Sequence, residues 1–300
     1  MRHVSEIIAV LAIALHLGCD SGEPPREFVR GDDAVQIPVS ITGSLQNGAW
    51  SPEGDEVVFT RFRKGYNKGP ADLYVCDLDG DGLRTLVADG SGNVSLPGSA
   101  WNAQTGLIVF SSSREPHDEI FVIPADGAPG DEQAVTSRDA FMAYEPSFSP
   151  DGQWVVFESH PLDVEGHGVI TKSRVDGTEG YFALTGESDD CRQPNWSPAG
   201  DLILYQRYQQ GRWDIWTCDT DGADHRRVTS GEWDDTDASF SPDGQHIVYS
   251  SNEGNLEFAN IFVIPVGGGP AVRVTDFNGY DGAPSSKRSP SVGSGSNTGW

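Results

Sequence analysis

One short phrase recurs along this chain and limits what it can fold into. It reads Trp50-Ser51-Pro52-Glu53-Gly54, Phe148-Ser149-Pro150-Asp151-Gly152, Trp196-Ser197-Pro198-Ala199-Gly200 and Phe240-Ser241-Pro242-Asp243-Gly244. A looser copy, Trp101-Asn102-Ala103-Gln104-Thr105-Gly106, carries one extra residue. Successive anchors lie 51, 47, 48 and 44 residues apart. A repeat of about 40–50 residues with an aromatic and a glycine turn at fixed places marks the blade of a β-propeller.

The rest of each unit agrees. Proline presets φ for the turn, and glycine accepts the positive φ that follows. Next comes a short apolar run: Val57-Val58-Phe59, Leu107-Ile108-Val109-Phe110, Trp154-Val155-Val156-Phe157, Leu202-Ile203-Leu204-Tyr205 or Ile247-Val248-Tyr249. These runs read as strands buried on both faces. A hairpin follows, turning at Asp79-Gly80, Asp126-Gly127, Asp176-Gly177, Asp221-Gly222 or Gly267-Gly268-Gly269, and Asp-Gly between apolar runs is a strong hairpin signal. The closing strand ends in a hydroxyl residue, as in Val135-Thr136, Leu184-Thr185, Val228-Thr229 and Val274-Thr275. No stretch after residue 19 has a helical period. The expected fold is all-β, a propeller of four-stranded antiparallel blades.

The turn, the β run, the Ile-(Phe/Trp)-Val strand, the Asp-Gly turn and the Val-Thr close together resemble the TolB-type propeller repeat, a WD-repeat-like family. The resemblance spans residues 34–286. It implies an antiparallel propeller, usually six-bladed, a periplasmic or cell-surface setting, and binding rather than catalysis. The α/β domain that precedes the propeller in full-length TolB has no counterpart before residue 34, so TolB's own partner role is not expected to carry over.

Ring closure sets a further expectation. Val39-Ser40-Ile41-Thr42-Gly43 looks like a blade-closing strand, and Asp281-Gly282-Ala283-Pro284-Ser285 matches the lead-in of the other blades. Position 286 then carries serine where an aromatic belongs, and residues 287–300 form a Ser/Gly-rich tail with no apolar run. Such a composition cannot bury enough surface to offset its ordering entropy. The expectation is six blades with an incomplete last one, from a C-terminus truncated or frameshifted after Ser285; a disordered tail on a five-bladed ring is the alternative.

Residues 1–19 read as an export signal, with Arg2 before an apolar core from Ile7 to Leu17. Leu15-His16-Leu17-Gly18-Cys19 resembles a bacterial lipoprotein box, which makes Cys19 the expected lipidation site and residues 20–33 a polar linker. The expected location is the periplasm or cell surface, anchored to a bacterial membrane by that lipid alone. The net charge of −25 argues against nucleic acid, which demands positive patches, and suits solubility, a cation-binding surface or a basic partner. Cys76 and Cys218 repeat one strand position in separate blades, beyond disulfide reach, and Cys191 reads as a loop residue.

No nucleophile elbow, zinc-peptidase helix or phosphate loop is present, so an enzyme is not expected. Asp77, Asp79 and Asp81 alternate with a glycine at the sixth place, Gly82, which suits a hard cation such as Ca²⁺. The twelfth place is Ala88, not an acid, and the run coincides with the ordinary blade hairpin. His160 and His167 bracket two acids in one loop, a possible transition-metal set or a plain cover for the blade edge.

Position carries the stronger signal. Connections between second and third strands share a face with those between blades, and these are the long ones. Tyr66, Phe141, Tyr144, Arg212, Trp213, Trp233, Asp234, Asp235 and Tyr280 lie there. Exposed aromatics and arginine beside acids anchor partners, or the aromatics act as lids over the blades. The expected function is a monomeric, non-catalytic exported scaffold that binds an envelope protein or peptide through this face. The rival readings are a propeller lyase or hydrolase acting on an envelope sugar or peptide with a bound cation, and a broken copy.

Overall fold

The computed structural model describes residues 36–275, apart from 89–91, 93, 97–99, 115, 164–166 and 255–258. Among the described residues, twenty strands form five antiparallel sheets of four, each meandering in sequence order. Blade 1 holds β1 (Ser44–Trp50), β2 (Glu56–Phe62), β3 (Ala71–Asp77) and β4 (Arg84–Val87). Blade 2 holds β5 (Val94–Ser95), β6 (Leu107–Ser112), β7 (Glu119–Pro124) and β8 (Gln133–Ala134). Blade 3 holds β9 (Phe141–Phe148), β10 (Trp154–Pro161), β11 (Val169–Arg174) and β12 (Tyr181–Ala183). Blade 4 holds β13 (Asp190–Trp196), β14 (Leu202–Gln209), β15 (Arg212–Asp219) and β16 (Arg226–Arg227). Blade 5 holds β17 (Asp235–Phe240), β18 (His246–Ser251), β19 (Asn260–Pro265) and β20 (Val272–Arg273).

The repeated residues act at fixed places. The turn serine accepts the N–H that opens the second strand, Ser149 from Trp154, Ser197 from Leu202 and Ser241 from His246, each at 3.0 Å. The same hydroxyl donates to the turn carboxylate, at 2.5 Å in Ser149–Asp151 and 2.8 Å in Ser197–Asp201. In blade 2 Asn102 replaces the serine and accepts from the N–H groups of Gln104 and Thr105. The closing threonine serves the third strand: the hydroxyls of Thr136, Thr185, Thr229 and Thr275 accept the N–H groups of Ile120, Ile170, Ile215 and Ile261 at 2.8–3.0 Å.

The core lies between blades. Leu204, Ile215 and Val228 of blade 4 pack on Ala238, Ile247, Tyr249, Phe262 and Ile264 of blade 5. Blades 2 and 3 repeat this contact, with Val109, Ile120 and Val135 against Ala143, Val155 and Phe157. Full burial of such a side chain is worth roughly 1.5–3 kcal/mol, so the blade-to-blade contacts order the array.

Two expectations need correction. The described residues form five blades and not six; the C-terminal lead-in and the tail lie outside them. Ile37, Val39 and Ile41 pack on Leu45, Val57, Phe59 and Cys76 of blade 1, and the blade that residues 39–43 were expected to complete lies outside the described residues. Cys191 sits buried within β13, because Gly168 and Leu184 beside it enclose the strand. The signal segment, Cys19 and Tyr280 fall outside the described residues. No helix among the described residues is long and apolar enough to cross a membrane.

Candidate functional site

First strands of neighbouring blades run beside one another, β13 against both β9 and β17, so they form the inner wall of the array. Four of them carry a β-bulge. At each bulge one non-glycine residue has a left-handed backbone: Asn47 at φ 54°, Glu145 at 46°, Gln193 at 51° and Asp237 at 52°. Such conformations are uncommon outside glycine and persist only where surroundings hold them. Here the preceding blade supplies the hold. Glu158 accepts the Gln193 N–H at 2.9 Å, and Gln206 accepts the Asp237 N–H at 3.3 Å.

These bulges gather carboxylates on the inner wall. Burial pushes the Glu145 carboxyl well above the usual carboxylate range, and the charges of Glu158 and Asp237 push it the same way. Glu158 also faces His160, whose Nε2 lies 3.3 Å from Oε1. The His160 ring meets Tyr144 edge-on at 5.7 Å. The Tyr144 hydroxyl donates to Met142 Sδ at 3.0 Å, and the nearby Asp118 carboxyl is raised to about 6, chiefly by burial, with Tyr144 and His117 opposing. Burial likewise raises the Tyr144 phenol. The result is a set of mutually repelling carboxylates drawn from blades 2, 3 and 5.

A second feature lies at the loop end of blade 4. The stretch expected to be a long loop, Arg207–Trp213, is instead a continued hairpin: Tyr208 pairs with Trp213 and Gln209 with Arg212. Only Gln210 and Gly211 form the turn, both at positive φ, because a two-residue turn of that hand matches the strand twist. This projects an aromatic pair beyond the blade, with Tyr208 and Trp213 rings 5.2 Å apart and the Arg192 guanidinium 5.1 Å from the indole. The Trp213 N–H donates to Asp234 at 3.0 Å.

The other candidates divide by surroundings. Tyr66 stands exposed in the β2–β3 loop. Phe141 lies under the Arg138 guanidinium at 3.9 Å. Arg212 reaches Asp214 at 3.6 Å. Trp233 is half-buried against Gly231. Asp234 ties Trp213 to Asn252, and Asp235 is buried where Ser251 and Thr229 bond it, so both acids brace the loop from within. Asp77, Asp79 and Asp81 form an exposed hairpin turn in which Asp79 accepts the Asp81 N–H at 3.0 Å. No group of three His, Cys, Asp or Glu side chains among the described residues is arranged to hold a metal ion.

Glu145, Glu158, Asp237 and Asp118 were absent from the sequence-derived candidates. The available signal was the polar residue two places before the anchor turn's serine-preceding pair, Glu145 before Pro146 and Gln193 before Pro194, which recurs as Asp237 before Ala238.

Five antiparallel four-stranded blades with their first strands innermost define a β-propeller. The profile of the TolB β-propeller domain matches residues 36–258, and the chain belongs to that family. An uncharacterized protein of Agrobacterium fabrum is 32% identical over 166 residues, covering 53% of each chain. The Tol-Pal system protein TolB of Francisella tularensis is 25% identical over 163 residues, 54% of this chain and 35% of its own. The matches thus span about a third to a half of the length of these curated relatives. Among solved structures, a TolB-like protein from Agrobacterium tumefaciens superposes with a TM-score of 0.62 at 19% identity, covering 77% of this chain and 80% of its own. Puromycin hydrolase superposes with a TM-score of 0.61 at 18% identity, covering 79% of this chain and 40% of its own. At these identities the structural likeness speaks for the fold alone.

Proposed function

We propose that this chain is a non-catalytic exported scaffold at the cell envelope. It binds a protein or peptide through the long-loop face, and a cationic side chain of the partner meets the carboxylates around Glu145. The observation that carries this reading is Glu145: the charged groups that act on its half-buried carboxyl are two further carboxylates, Glu158 and Asp237. A guanidinium or ammonium placed there would relieve that repulsion and make charge-assisted hydrogen bonds. The Tyr208–Trp213 pair supplies an aromatic anchor of the kind interfaces use. The Tol-Pal protein among the relatives supports the envelope setting and a protein partner.

The test is a pull-down from envelope extract with the native chain, Glu145→Gln and Trp213→Ala as baits. The native chain is expected to retain a partner that both variants lose. Equal capture by all three would refute the assignment of this face.

A second reading is enzymatic, favoured by the His160–Glu158 contact beside Asp118, whose raised carboxyl could exchange protons near neutral pH. Turnover of an envelope peptide or oligosaccharide, abolished by His160→Ala, would replace the scaffold reading.

A further inference from the structure

Neighbouring blades meet along seams, and two of the seams are bridged by a cation. Between blades 1 and 2, the Arg84 guanidinium donates to the Ala125 carbonyl oxygen. Between blades 3 and 4, the Lys172 ammonium donates to the Thr220 carbonyl oxygen. Each acceptor is the residue that follows the third strand of the next blade. The two donors hold paired positions. Arg84 lies opposite Val75 across the β3–β4 ladder. Val75 stands two places after the buried Leu73, as Lys172 stands two places after the buried Ile170.

The seam between blades 2 and 3 lacks this bridge. Its two positions hold Val122 and, opposite it, Gln133. Blade 4 has Thr217 opposite Arg226, an exposed arginine. Among blades 1 to 4, blade 2 is thus the one with no cation at either place. The acceptor is nonetheless present. Val175 follows β11, and its carbonyl oxygen receives no donor among the described residues. A cleft of about 270 Å³ opens at this point, with Leu107, Val122, Pro124 and Gln133 on the blade 2 wall and Val175 and Asp176 on the blade 3 wall.

We propose that this cleft binds a lysine or arginine side chain of a partner polypeptide, which supplies from outside the bridge that Arg84 and Lys172 make from within. The methylene stem lies along Leu107, Val122 and Pro124, as long cationic side chains cover apolar surface. The charged head meets the Val175 carbonyl oxygen and the exposed Asp176 carboxylate in charge-assisted hydrogen bonds. Arg174 also borders the cleft, but its guanidinium lies over the Trp154 ring at 5.2 Å, and Asp176 and Glu179, 4.0 and 3.9 Å away, offset its charge. The occupant is a polypeptide because Gln133 belongs to β8, the outer strand of blade 2, whose free edge offers backbone groups to a strand laid beside it. The cleft sits among the short turns, at the end of the blades away from the long-loop face, and is a second contact independent of the first.

The test is saturation-transfer NMR on the full chain with acetyl-Ala-Lys-Ala-amide as probe. The native chain is expected to bind it, and to bind the norleucine analogue roughly tenfold more weakly, as for the loss of one hydrogen bond to a charged group. Gln133→Arg and Val122→Lys each place a cation where blade 1 or blade 3 already has one, so both should abolish binding. Val122 is buried and Gln133 is exposed, so Gln133→Arg, which keeps the fold, is the deciding variant. No binding by the native chain, equal binding of the norleucine analogue, or binding that survives Gln133→Arg overturns the proposal. Butylamine held as tightly as the peptide assigns the cleft to a free amine and equally overturns it.

Discussion

At the scale of single residues, the closing threonine shows how the repeat earns its place in every blade. Its hydroxyl lies beside a third-strand N–H that no neighbouring strand satisfies, and in blade 4 the Thr229 hydroxyl accepts from Ile215 at 3.0 Å under full cover. Thr229→Val keeps the shape and removes the acceptor, leaving a buried donor unpaired at a cost of about 1–3 kcal/mol. Thr275 makes the same bond to Ile261 at an exposed edge, where water can replace the hydroxyl. Urea unfolding should therefore show a clear loss for Thr229→Val and a smaller one for Thr275→Val. Equal losses would mean that the bond contributes independently of burial.

At the scale of elements, two glycines separate the cost of a backbone conformation from the cost of a contact. Gly211 turns the β14–β15 hairpin at φ 84° with nothing within 4 Å of an added Cβ. Gly222 turns β15 into β16 at φ 79°, and an added Cβ would meet the Leu184 carbonyl oxygen of blade 3 at 2.9 Å. Gly211→Ala should cost about 1–2 kcal/mol for the left-handed conformation alone. Gly222→Ala should cost distinctly more, since a backbone carbonyl of the neighbouring blade must also shift. Thermal unfolding of the two variants checks the order. The same elements show what the sequence could and could not reveal. Every apolar run fell inside a strand, because period and turn chemistry are local. The extended β14–β15 hairpin was hidden, because Arg207, Gln209 and Arg212 read as loop until Tyr208 and Trp213 are seen facing each other across it. The carboxylate set was hidden for a different reason. Glu145, Glu158 and Asp237 come from three strands of two blades and meet only through the bulges, and bulges leave no period to count.

At the scale of the whole molecule, the half-buried carboxylates Asp118 and Glu145 give stability and binding opposite responses to pH. Asp118 holds its proton to about pH 6 in the folded chain, and burial raises Glu145 in the same direction. Between roughly pH 4 and 6 the folded state therefore binds protons that the unfolded chain has already released, and stability must fall as pH rises through that window. Asp118→Asn removes one such group and should flatten the fall, visible as a smaller drop in denaturation midpoint between pH 4.5 and 7. Capture of a cationic partner should run the other way. As Asp118 and Glu145 ionise, the carboxylate set gains negative charge, and a guanidinium or ammonium that meets it recovers the interaction that ionisation cost the free protein. Retention of the envelope partner should thus strengthen from pH 5 to 7 and weaken with added salt, because attraction at these partly exposed carboxylates is screened. Retention that stays flat across both series would remove the carboxylates from recognition and leave the Tyr208–Trp213 pair as the remaining anchor.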